Sequence, residues 1–197
     1  MKTAKRPKKQ GKIFVISGPS GSGKTTLLGN LIKDRKISKL LVKSRSFTTR
    51  PRRPQEREGR DYFFVSRDEF KRLLKAKKIL EWTRYLGYYY GTPKQFVDIQ
   101  LKKGRHLGFC LDLKGAAILK RIYPKNTVTI FVLPPSLGTL KTRIEGRCKC
   151  TDKKEVAQRL RLARSELLAA PGFDYCILNN NLRAALKELK EIILARA

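Results

Sequence analysis

The sequence predicts an α/β fold in which a parallel sheet is flanked by helices. Apolar runs typical of strands alternate with helical patterns along most of the 197 residues. Such alternation is typical of parallel sheets whose strands are joined by helices. The length suits one compact domain with a sizeable core. The strand candidates are 12–17, 106–112, 127–133 and 174–178, and the helix candidates are 24–34, 93–103, 114–122, 135–146, 153–169 and 182–196.

The first strand candidate is followed directly by the glycine-rich segment GPSGSGKT at 18–25. This segment matches the pattern G-x-x-x-x-G-K-[ST] between a buried strand and a helix. The glycines let successive backbone N–H groups turn around an anion, and the next helix directs its positive end to the same place. We therefore predict a P-loop NTPase fold.

This loop is predicted to bind ATP, with Lys24 at the terminal phosphates and the Thr25 hydroxyl on Mg²⁺. The pattern indicates that a nucleoside triphosphate binds, but not how its phosphoryl group is used. The predicted ATP-binding residues in this segment are Gly18, Pro19, Ser20, Gly21, Ser22, Gly23, Lys24, Thr25 and Thr26.

Residues 45–92 break the alternation and predict a small inserted lobe. They consist of short strand patterns and turns around one helical stretch, and they contain most of the tyrosines and the only tryptophan, Trp82. Because large aromatic side chains are usually buried, we expect Trp82 and the segment FFV at 63–65 in the core of this lobe. A second polar interruption, at 143–159, has the composition of a mobile lid.

The inserted lobe combines side chains suited to a second phosphate and a base. Arg50 and Arg53 offer planar forks for phosphate oxygens, and Tyr62 and Tyr90 offer hydroxyl donors. Glu81 can accept hydrogen bonds from an N–H edge, which guanine presents at N1 and N2, whereas adenine has no N1–H. A buried carboxylate left unpaired by the wrong base discriminates strongly.

The last elements follow the same α/β pattern. Asp112 ends a strand candidate, which is where open α/β sheets place ligand-binding residues. The asparagines at 179–181 predict a turn and an N-cap before a final helix with apolar residues at helical spacing.

The net charge of +30 is extreme. It predicts non-specific affinity for polyanions, but no nucleic-acid-binding module accompanies it, so no dedicated nucleic-acid partner is expected. Residues 1–11 are read as a disordered basic tail that is too polar for a signal peptide, and no apolar run is long enough to span a membrane. We expect a cytoplasmic protein, monomeric or homodimeric.

The four cysteines are expected to be reduced thiols, because nothing indicates secretion. Cys148 and Cys150 are separated by one residue, which is shorter than usual zinc-ligand spacing, and His106 is the only histidine. Two thiols in a loop are therefore favoured over a metal site.

The chain resembles guanylate kinases from about residue 12 to its C-terminus. The second and third matching stretches are highly specific, whereas the phosphate loop alone is shared with many nucleotide-binding proteins. The stretches are GPSGSGKTTL (18–27), SFTTRPRRPQEREGRDYFFVS (46–66), LEWTRYLGYYYGTPK (80–94), LDLKGA (111–116), FVLPPSLGTLKTRIEGR (131–147) and FDYCILNNNL (173–182).

The resemblance implies Mg²⁺-dependent transfer of the ATP γ-phosphoryl group to GMP, giving ADP and GDP. It implies a core of 12–44, 93–142 and 160–197, a GMP-binding lobe at 45–92 and a lid at 143–159. It implies that the GMP phosphate is held by Arg50, Arg53, Tyr62 and Tyr90, that guanine is recognised by Ser46, Glu81, Thr92 and Asp112, and that Glu56 matches an acidic position of the same site. Catalytic charge neutralisation would come from Lys24, Arg50, Arg143, Arg147 and Arg159, and Asn179 would lie near adenine.

The chain also departs from the family pattern. Cys110 stands where the first aspartate of D-x-D is common, Lys114 replaces a usual glutamine, and Gln55 replaces a glycine. The predicted lid contains RCKCTD in place of a shorter glycine-containing form. Position 110 therefore lacks a carboxylate that could help to hold Mg²⁺-bound water or GMP.

Three alternative functions differ in their sequence requirements. A kinase for another phosphorylated acceptor, such as a ribose bisphosphate, should lack the guanine-recognising set of Ser46, Glu81 and Thr92. A catalytically inactive binding module should lack an intact phosphate loop. A nucleic-acid-binding protein should keep salt-dependent RNA affinity without the basic tail and should show no kinase activity.

Overall fold

The computed structural model describes residues 10–146 and 153–197 of the chain. Its centre is a five-stranded sheet in the order β2-β7-β1-β8-β9, in which every neighbouring pair is parallel. This confirms the predicted α/β class. The strands are β1 (Ile13–Ser17), β2 (Leu41–Lys43), β7 (His106–Cys110), β8 (Thr127–Leu133) and β9 (Tyr175–Leu178).

Helices cover both faces of this sheet. They are α1 (Lys24–Leu31), α2 (Arg35–Leu40) and α8 (Leu182–Arg196) on one face and α4 (Lys94–Lys102) and α5 (Leu113–Ile122) on the other. Two further helices, α6 (Leu137–Glu145) and α7 (Lys153–Leu167), pack against each other. The predicted N-cap before the last helix is confirmed, because the Asn181 side chain accepts hydrogen bonds from the N–H groups of Arg183 and Ala184.

The central strand β1 divides the core into two layers. Phe14 and Ile16 pack in one cluster with residues of α1 and α8, whereas Ile13 and Val15 pack in another with residues of α4 and α5. Alternate residues of a strand point to opposite faces, so a strand covered on both sides must be apolar throughout. The run IFVI therefore places the start of the phosphate loop at the middle of the sheet.

The inserted lobe is a second, four-stranded sheet in the order β4-β3-β6-β5. It consists of β3 (Phe47–Thr48), β4 (Phe63–Phe64), β5 (Ile79–Tyr85) and β6 (Tyr88–Pro93), with α3 (Arg67–Lys75) between β4 and β5. Phe70 of α3 is fully buried and stacks on Tyr89, with ring centroids 5.3 Å apart.

The predicted burial of Trp82 is wrong. This side chain is 45% exposed, whereas its neighbours Glu81 and Thr83 on β5 are 5% and 7% exposed. Because strand residues alternate between faces, a strand that turns Glu81 and Thr83 inward must turn Trp82 outward. The segment 63–65 is partly buried.

Several element boundaries also differ from the predictions. The helix expected over 24–34 ends at Leu31, and the short α2 and the edge strand β2 follow it. Both were missed because each spans too few residues to show a periodic pattern. The strand expected over 106–112 ends at Cys110.

The predicted N-terminal tail, residues 1–11, falls only partly within the described residues. Residues 1–9 of the predicted tail lie outside the described residues, but Gly11 is buried, and its carbonyl oxygen accepts a hydrogen bond from Asn126. In the parts of the chain that the structure describes, no helix combines the length and apolar character needed to cross a membrane.

Candidate active site

A cavity of about 840 Å³ opens at the carboxyl ends of the central strands, between the phosphate loop, the inserted lobe and α7. This is the position at which open α/β sheets bind ligands. Most predicted site residues line this one cavity: Gly18, Ser20, Gly21, Gly23, Lys24, Thr25, Thr26, Ser46, Arg50, Arg53, Glu56, Tyr62, Glu81, Tyr90, Asp112 and Arg159.

The phosphate loop has the backbone conformation that its glycines allow. Gly18, Gly21 and Gly23 have φ values of 136°, 89° and 95°. Residues that carry a Cβ rarely adopt such positive φ values. Lys24 Nζ donates to the carbonyl oxygens of Gly18 at 2.7 Å and Pro19 at 3.1 Å. The ammonium group is thus held over the loop, where a bound phosphate would be.

Asn179 supports the phosphate loop from behind. Its Nδ2 donates to the Ser22 carbonyl oxygen at 2.7 Å, and a Cβ on Gly23 would lie only 2.2 Å from that nitrogen. Arg143 donates more weakly to the carbonyl oxygens of Gly21 at 3.4 Å and Asn179 at 3.3 Å. Contact of Asn179 with adenine stays a prediction.

Arg159 connects α7 to the phosphate loop. Its Nη1 donates to Ser20 Oγ at 2.9 Å, and its Nε and Nη2 donate to Glu155 Oε1 at 2.9 and 2.6 Å. A guanidinium held between Ser20 of the loop and Glu155 of α7 can neutralise charge on phosphates in the loop. Another of the predicted catalytic arginines, Arg147, lies outside the described residues, as do Cys148 and Cys150.

The arginines of the lobe are oriented by Glu56. Arg50 Nη2 donates to both oxygens of Glu56, at 2.8 and 2.9 Å, and the Arg53 backbone N–H donates to Oε2 at 2.9 Å. Arg50 itself is 8% exposed. Burial opposes the charge of Arg50, but its hydrogen bonds to Glu56 help to raise the pKa, so it stays cationic.

Two tyrosines complete this part of the wall. The rings of Tyr62 and Tyr90 are in edge contact, with centroids 6.1 Å apart, and the Arg50 guanidinium lies 5.6 Å from the Tyr62 centroid. Burial raises the pKa of Tyr62 to about 12. The Tyr62 hydroxyl is therefore a hydrogen-bond donor at neutral pH, which suits an anionic ligand.

Glu81 lines the cavity on the side of the inserted lobe, and it is hydrogen-bonded to Thr92. Thr92 Oγ1 donates to Glu81 Oε1 at 2.5 Å. Thr92 is fully buried behind the carboxylate, so it does not line the cavity. Burial raises the pKa of Glu81 to about 7, the Thr92 hydrogen bond opposes this rise, and the negative charge of Asp112 adds to it.

Asp112 joins the lobe pocket to the core. Its Oδ1 accepts a hydrogen bond from Gly115 N at 2.8 Å and caps α5. A Cβ on Gly115 would lie 3.1 Å from Glu81 Oε2 and 3.3 Å from Asp112 Oδ1. The two carboxylates therefore lie side by side above the first turn of α5.

Several side chains of the cavity were not predicted from the sequence. Glu166, which lies outside the matching stretches, and Tyr85, which lies in the stretch 80–94 without a predicted role, both line it. Glu166 follows Arg159 by seven residues on α7, so a shared helix face was the available signal. Cys110 also lines the cavity, and its Sγ donates to the Lys24 carbonyl oxygen at 3.6 Å.

The residues at the phosphate loop fit Mg²⁺ brought in by a nucleotide. Within the described residues, there is no group of three His, Cys, Asp or Glu side chains that could hold a metal ion by themselves. Mg²⁺ is instead bound through few protein oxygens together with substrate phosphates and water. The Thr25 hydroxyl, next to Lys24 on the cavity wall, is an oxygen of this kind.

A phosphate loop and a second cationic pocket share this cavity. That arrangement is what phosphoryl transfer between two phosphorylated molecules requires, because donor and acceptor must be held next to each other. Glu81 beside the second pocket adds a group that accepts hydrogen bonds from a base. The fold and the site therefore define the class of nucleoside monophosphate kinases.

Comparisons with known proteins give the family. The family model for guanylate kinase matches residues 10–196. The guanylate kinase of Caldanaerobacter subterraneus subsp. tengcongensis is 39% identical over 188 residues, covering 95% of this chain and 89% of the relative. That of Thermotoga maritima is 40% identical over 185 residues, covering 93% and 86%. The chain belongs to the guanylate kinase family.

The structural comparison agrees with this family. A crystal structure of guanylate kinase from Anaplasma phagocytophilum superposes with a TM-score of 0.76 at 31% sequence identity. The match covers 95% of this chain and 87% of that one. The resemblance inferred from the motifs is thus confirmed over nearly the whole chain.

Proposed function

We propose that this chain transfers the γ-phosphoryl group of ATP, bound with Mg²⁺, to GMP, giving ADP and GDP. The observation that carries the proposal is the position of Glu81. A buried carboxylate lies in the same cavity as the phosphate loop and beside the Arg50–Glu56 pair. Guanine presents two adjacent donors, N1–H and N2–H₂, to such a carboxylate, whereas adenine has no N1–H.

The proposed roles at the acceptor site follow from donor and acceptor chemistry. Arg50, Arg53 and the two tyrosine hydroxyls donate to the GMP phosphate, and Glu56 holds Arg50 in position. Glu81 accepts from N1–H and N2–H₂ of guanine, Ser46 supplies a hydroxyl at the same pocket, and Thr92 acts on the base through its hydrogen bond to Glu81. Adenine would leave the Glu81 carboxylate without its N1–H partner.

The proposed roles at the donor site rest on the phosphate loop. Its backbone N–H groups and Lys24 bind the β- and γ-phosphates, and the Thr25 hydroxyl holds Mg²⁺. When bound, Mg²⁺ neutralises charge on the phosphate oxygens. Arg159, and with it Arg143 and Arg147, neutralises the transferring group, and a closing lid over 143–159 excludes water.

No general base is needed in this scheme. The attacking oxygen belongs to the GMP phosphate and is already anionic, so the protein needs only to align it and to stabilise charge. This requirement matches a cavity wall rich in arginine and lysine.

A coupled ADP-release assay with Mg²⁺·ATP tests the proposal. We expect turnover with GMP and little with AMP, CMP or UMP, and we expect Glu81→Gln to lose most of the GMP turnover. Glu188→Gln, an exposed carboxylate of α8, is the matched control. Turnover with none of the four monophosphates would contradict the proposal.

Other predictions from the sequence accompany this function. We propose a cytoplasmic location and a monomer or homodimer without a dedicated nucleic-acid or membrane partner. The charge of +30 supports non-specific polyanion affinity, which should fall steeply as salt is raised.

A further inference from the structure

Arg45 lies where the chain first passes from the central sheet to the inserted lobe. β2 of the central sheet ends at Lys43, and β3 of the lobe begins at Phe47. The chain returns to the core at the end of β6, where Pro93 is followed directly by α4. A unit that is joined to its core by two short connections can move about them unless side chains fix it. Contacts at these two connections therefore bear on where the lobe is held.

The Arg45 guanidinium contacts three segments at this place. Its central carbon lies 5.6 Å from the ring centroid of Phe63 on β4 and 5.9 Å from that of Phe96 on α4. Its Nη1 donates a hydrogen bond to the Gly59 carbonyl oxygen. Gly59 and Phe63 belong to the lobe, whereas Phe96 packs against the buried cluster of β1, α4 and α5. One guanidinium thus contacts both the lobe and the core.

A guanidinium is suited to this set of contacts. It is planar and always charged, so it can lie over aromatic rings with its face and donate hydrogen bonds from its edge at the same time. Arg45 is not among the described residues that line the nucleotide cavity. It can therefore act on a reaction in that cavity only through the segments that it holds.

The lobe segments that Arg45 contacts carry residues of the acceptor site. The Gly59 N–H donates to the Tyr62 carbonyl oxygen at 2.9 Å, and the Phe63 N–H donates to the Ser46 carbonyl oxygen at 2.9 Å. Tyr62 and Ser46 both line the cavity. Arg45 therefore links the wall of the acceptor pocket to the core ring of Phe96.

We propose that Arg45 is a positioning residue that fixes the acceptor pocket of the lobe relative to the phosphate loop of the central sheet. This inference rests on the proposed function, in which an acceptor bound in the lobe must be aligned with the γ-phosphate at the loop. A small displacement of the reacting groups lowers the rate of transfer strongly, even when each substrate still binds. Loss of Arg45 should therefore lower kcat more than it raises either KM.

Steady-state kinetics of Arg45→Met in the full chain test this role. Methionine keeps an unbranched apolar stem but has neither the charge nor the donors. With Mg²⁺·ATP and GMP, kcat should fall roughly tenfold, whereas both KM values should stay within about threefold. Arg45→Lys, which keeps the charge and a donor but not the planar face, should recover part of the lost kcat.

Arg84→Met is the matched control for Arg45→Met. Arg84 is exposed and lies over the ring of Tyr89, at 5.9 Å from its centroid, and both residues belong to the lobe. The control therefore removes an arginine–ring contact that does not join the lobe to the core, and its kcat should stay within about twofold of the wild type.

Phe96→Leu isolates the contact between the lobe and the core. It removes the core ring and keeps the contacts of Arg45 with Gly59 and Phe63. If Arg45 acts through Phe96, the double variant should lose no more kcat than Arg45→Met alone. Losses of the two single variants that multiply in the double variant would overturn the proposal.

Amide hydrogen exchange measures the hold on the lobe without any substrate. The N–H groups of Ser44 and Lys94 belong to the two connections, and each donates to a backbone carbonyl oxygen at 2.9 Å. Both should exchange roughly tenfold faster in Arg45→Met and at the wild-type rate in Arg84→Met. Thermal unfolding of each variant verifies that it is folded.

The outcomes separate this proposal from the proposed function. If Arg45→Met keeps the wild-type kcat, or raises only the KM for GMP, the positioning role is overturned while GMP remains the acceptor. Unchanged exchange at both amides overturns it as well. If the wild type turns over none of the monophosphates, the proposed function is overturned, and the exchange rates still decide whether Arg45 holds the lobe.

Discussion

Thr92 and Glu81 form a hydrogen-bonded pair inside the lobe, with Thr92 Oγ1 donating to Oε1 at 2.5 Å. Thr92 is on β6 and Glu81 on the neighbouring β5, and the pairing register shifts between Ile79 and Trp82. Irregularities of this kind redirect side chains. Next to this shift, the Glu81 carboxylate points into the cavity. The Thr92 hydroxyl holds its Oε1, and Oε2 is left for a ligand.

The protonation of Glu81 should control the binding of GMP near neutral pH. Its pKa is raised to about 7, chiefly by burial, and only the ionised carboxylate accepts from both N1–H and N2–H₂. We expect the KM for GMP to fall as pH rises from 6 to 8, with the KM for ATP changing less. Initial rates at fixed Mg²⁺·ATP measure this effect.

Glu81→Gln is the control for the pH dependence. The amide does not titrate, so the variant should show a higher KM for GMP that is flat across the same range after correction for the phosphate ionisation of GMP. An unchanged slope in this variant would assign the dependence to another group.

Thr92→Val should weaken GMP binding without changing the shape of the lobe. The substitution removes the hydroxyl and leaves Glu81 Oε1 without its donor, which costs about 1–3 kcal/mol for a buried acceptor. We expect the KM for GMP to rise roughly tenfold, with a smaller change in kcat. Thr92→Ser, which restores the hydroxyl, should recover most of the affinity; failure of this recovery would argue for a packing role.

Glu56→Gln should impair the GMP phosphate site through Arg50. Both carboxylate oxygens are used by Arg50 and one also by the Arg53 backbone N–H, and an amide can serve only part of this set. We expect the KM for GMP to rise roughly tenfold while the KM for ATP stays within about twofold.

Glu58→Gln is the matched control for this variant, because Glu58 is exposed and accepts from Phe64 N and not from Arg50. Equal losses in the two variants would show that the lobe responds to charge in general and not to the Arg50 contact.

Glu166→Gln should stabilise the protein at high pH and not at low pH. The pKa of this carboxyl rises from 4.5 in the unfolded chain to about 7 in the folded protein, so its favourable contribution to stability is present below 4.5 and is lost as pH rises through 7. Glutamine does not lose a proton. We expect the variant to exceed the wild type by about 1–2 kcal/mol in the free energy of unfolding at pH 8 and by little at pH 5.

Urea unfolding at the two pH values measures this difference, with Glu188→Gln as the exposed control. A stabilisation of equal size at both pH values would mean that packing, and not ionisation, is responsible.

Phe70→Ala should destabilise the protein more than Trp82→Ala, although tryptophan is the larger side chain. Phe70 is fully buried, so its removal should cost about 3–5 kcal/mol. Trp82 is 45% exposed and contacts Tyr89 from the outer face, so its loss should cost about 1 kcal/mol. Thermal unfolding of both variants tests this order, and a larger loss for Trp82→Ala would contradict the exposed position.

Much of the site was visible in the sequence because it depends on local patterns. The phosphate loop needs glycines at fixed spacing after a buried strand, and the lobe motifs keep their arginines, tyrosines and Glu81 within short stretches. The alternation of strands and helices likewise predicted the parallel sheet, since each element shows its own periodicity. The short α2 and β2 were not predicted because six and three residues carry too little periodic signal.

What the sequence determined by itself was therefore the class of fold, the phosphate loop and a set of lobe side chains that share a cavity with this loop. Only the tertiary structure decided which groups meet across long separations, such as Asn179 with Ser22 and Arg159 with Ser20. It also decided that Trp82 faces outward, because two adjacent strand residues cannot share a face and Glu81 occupies the inner one. Such contacts arise when distant segments pack together, and no local spacing encodes them.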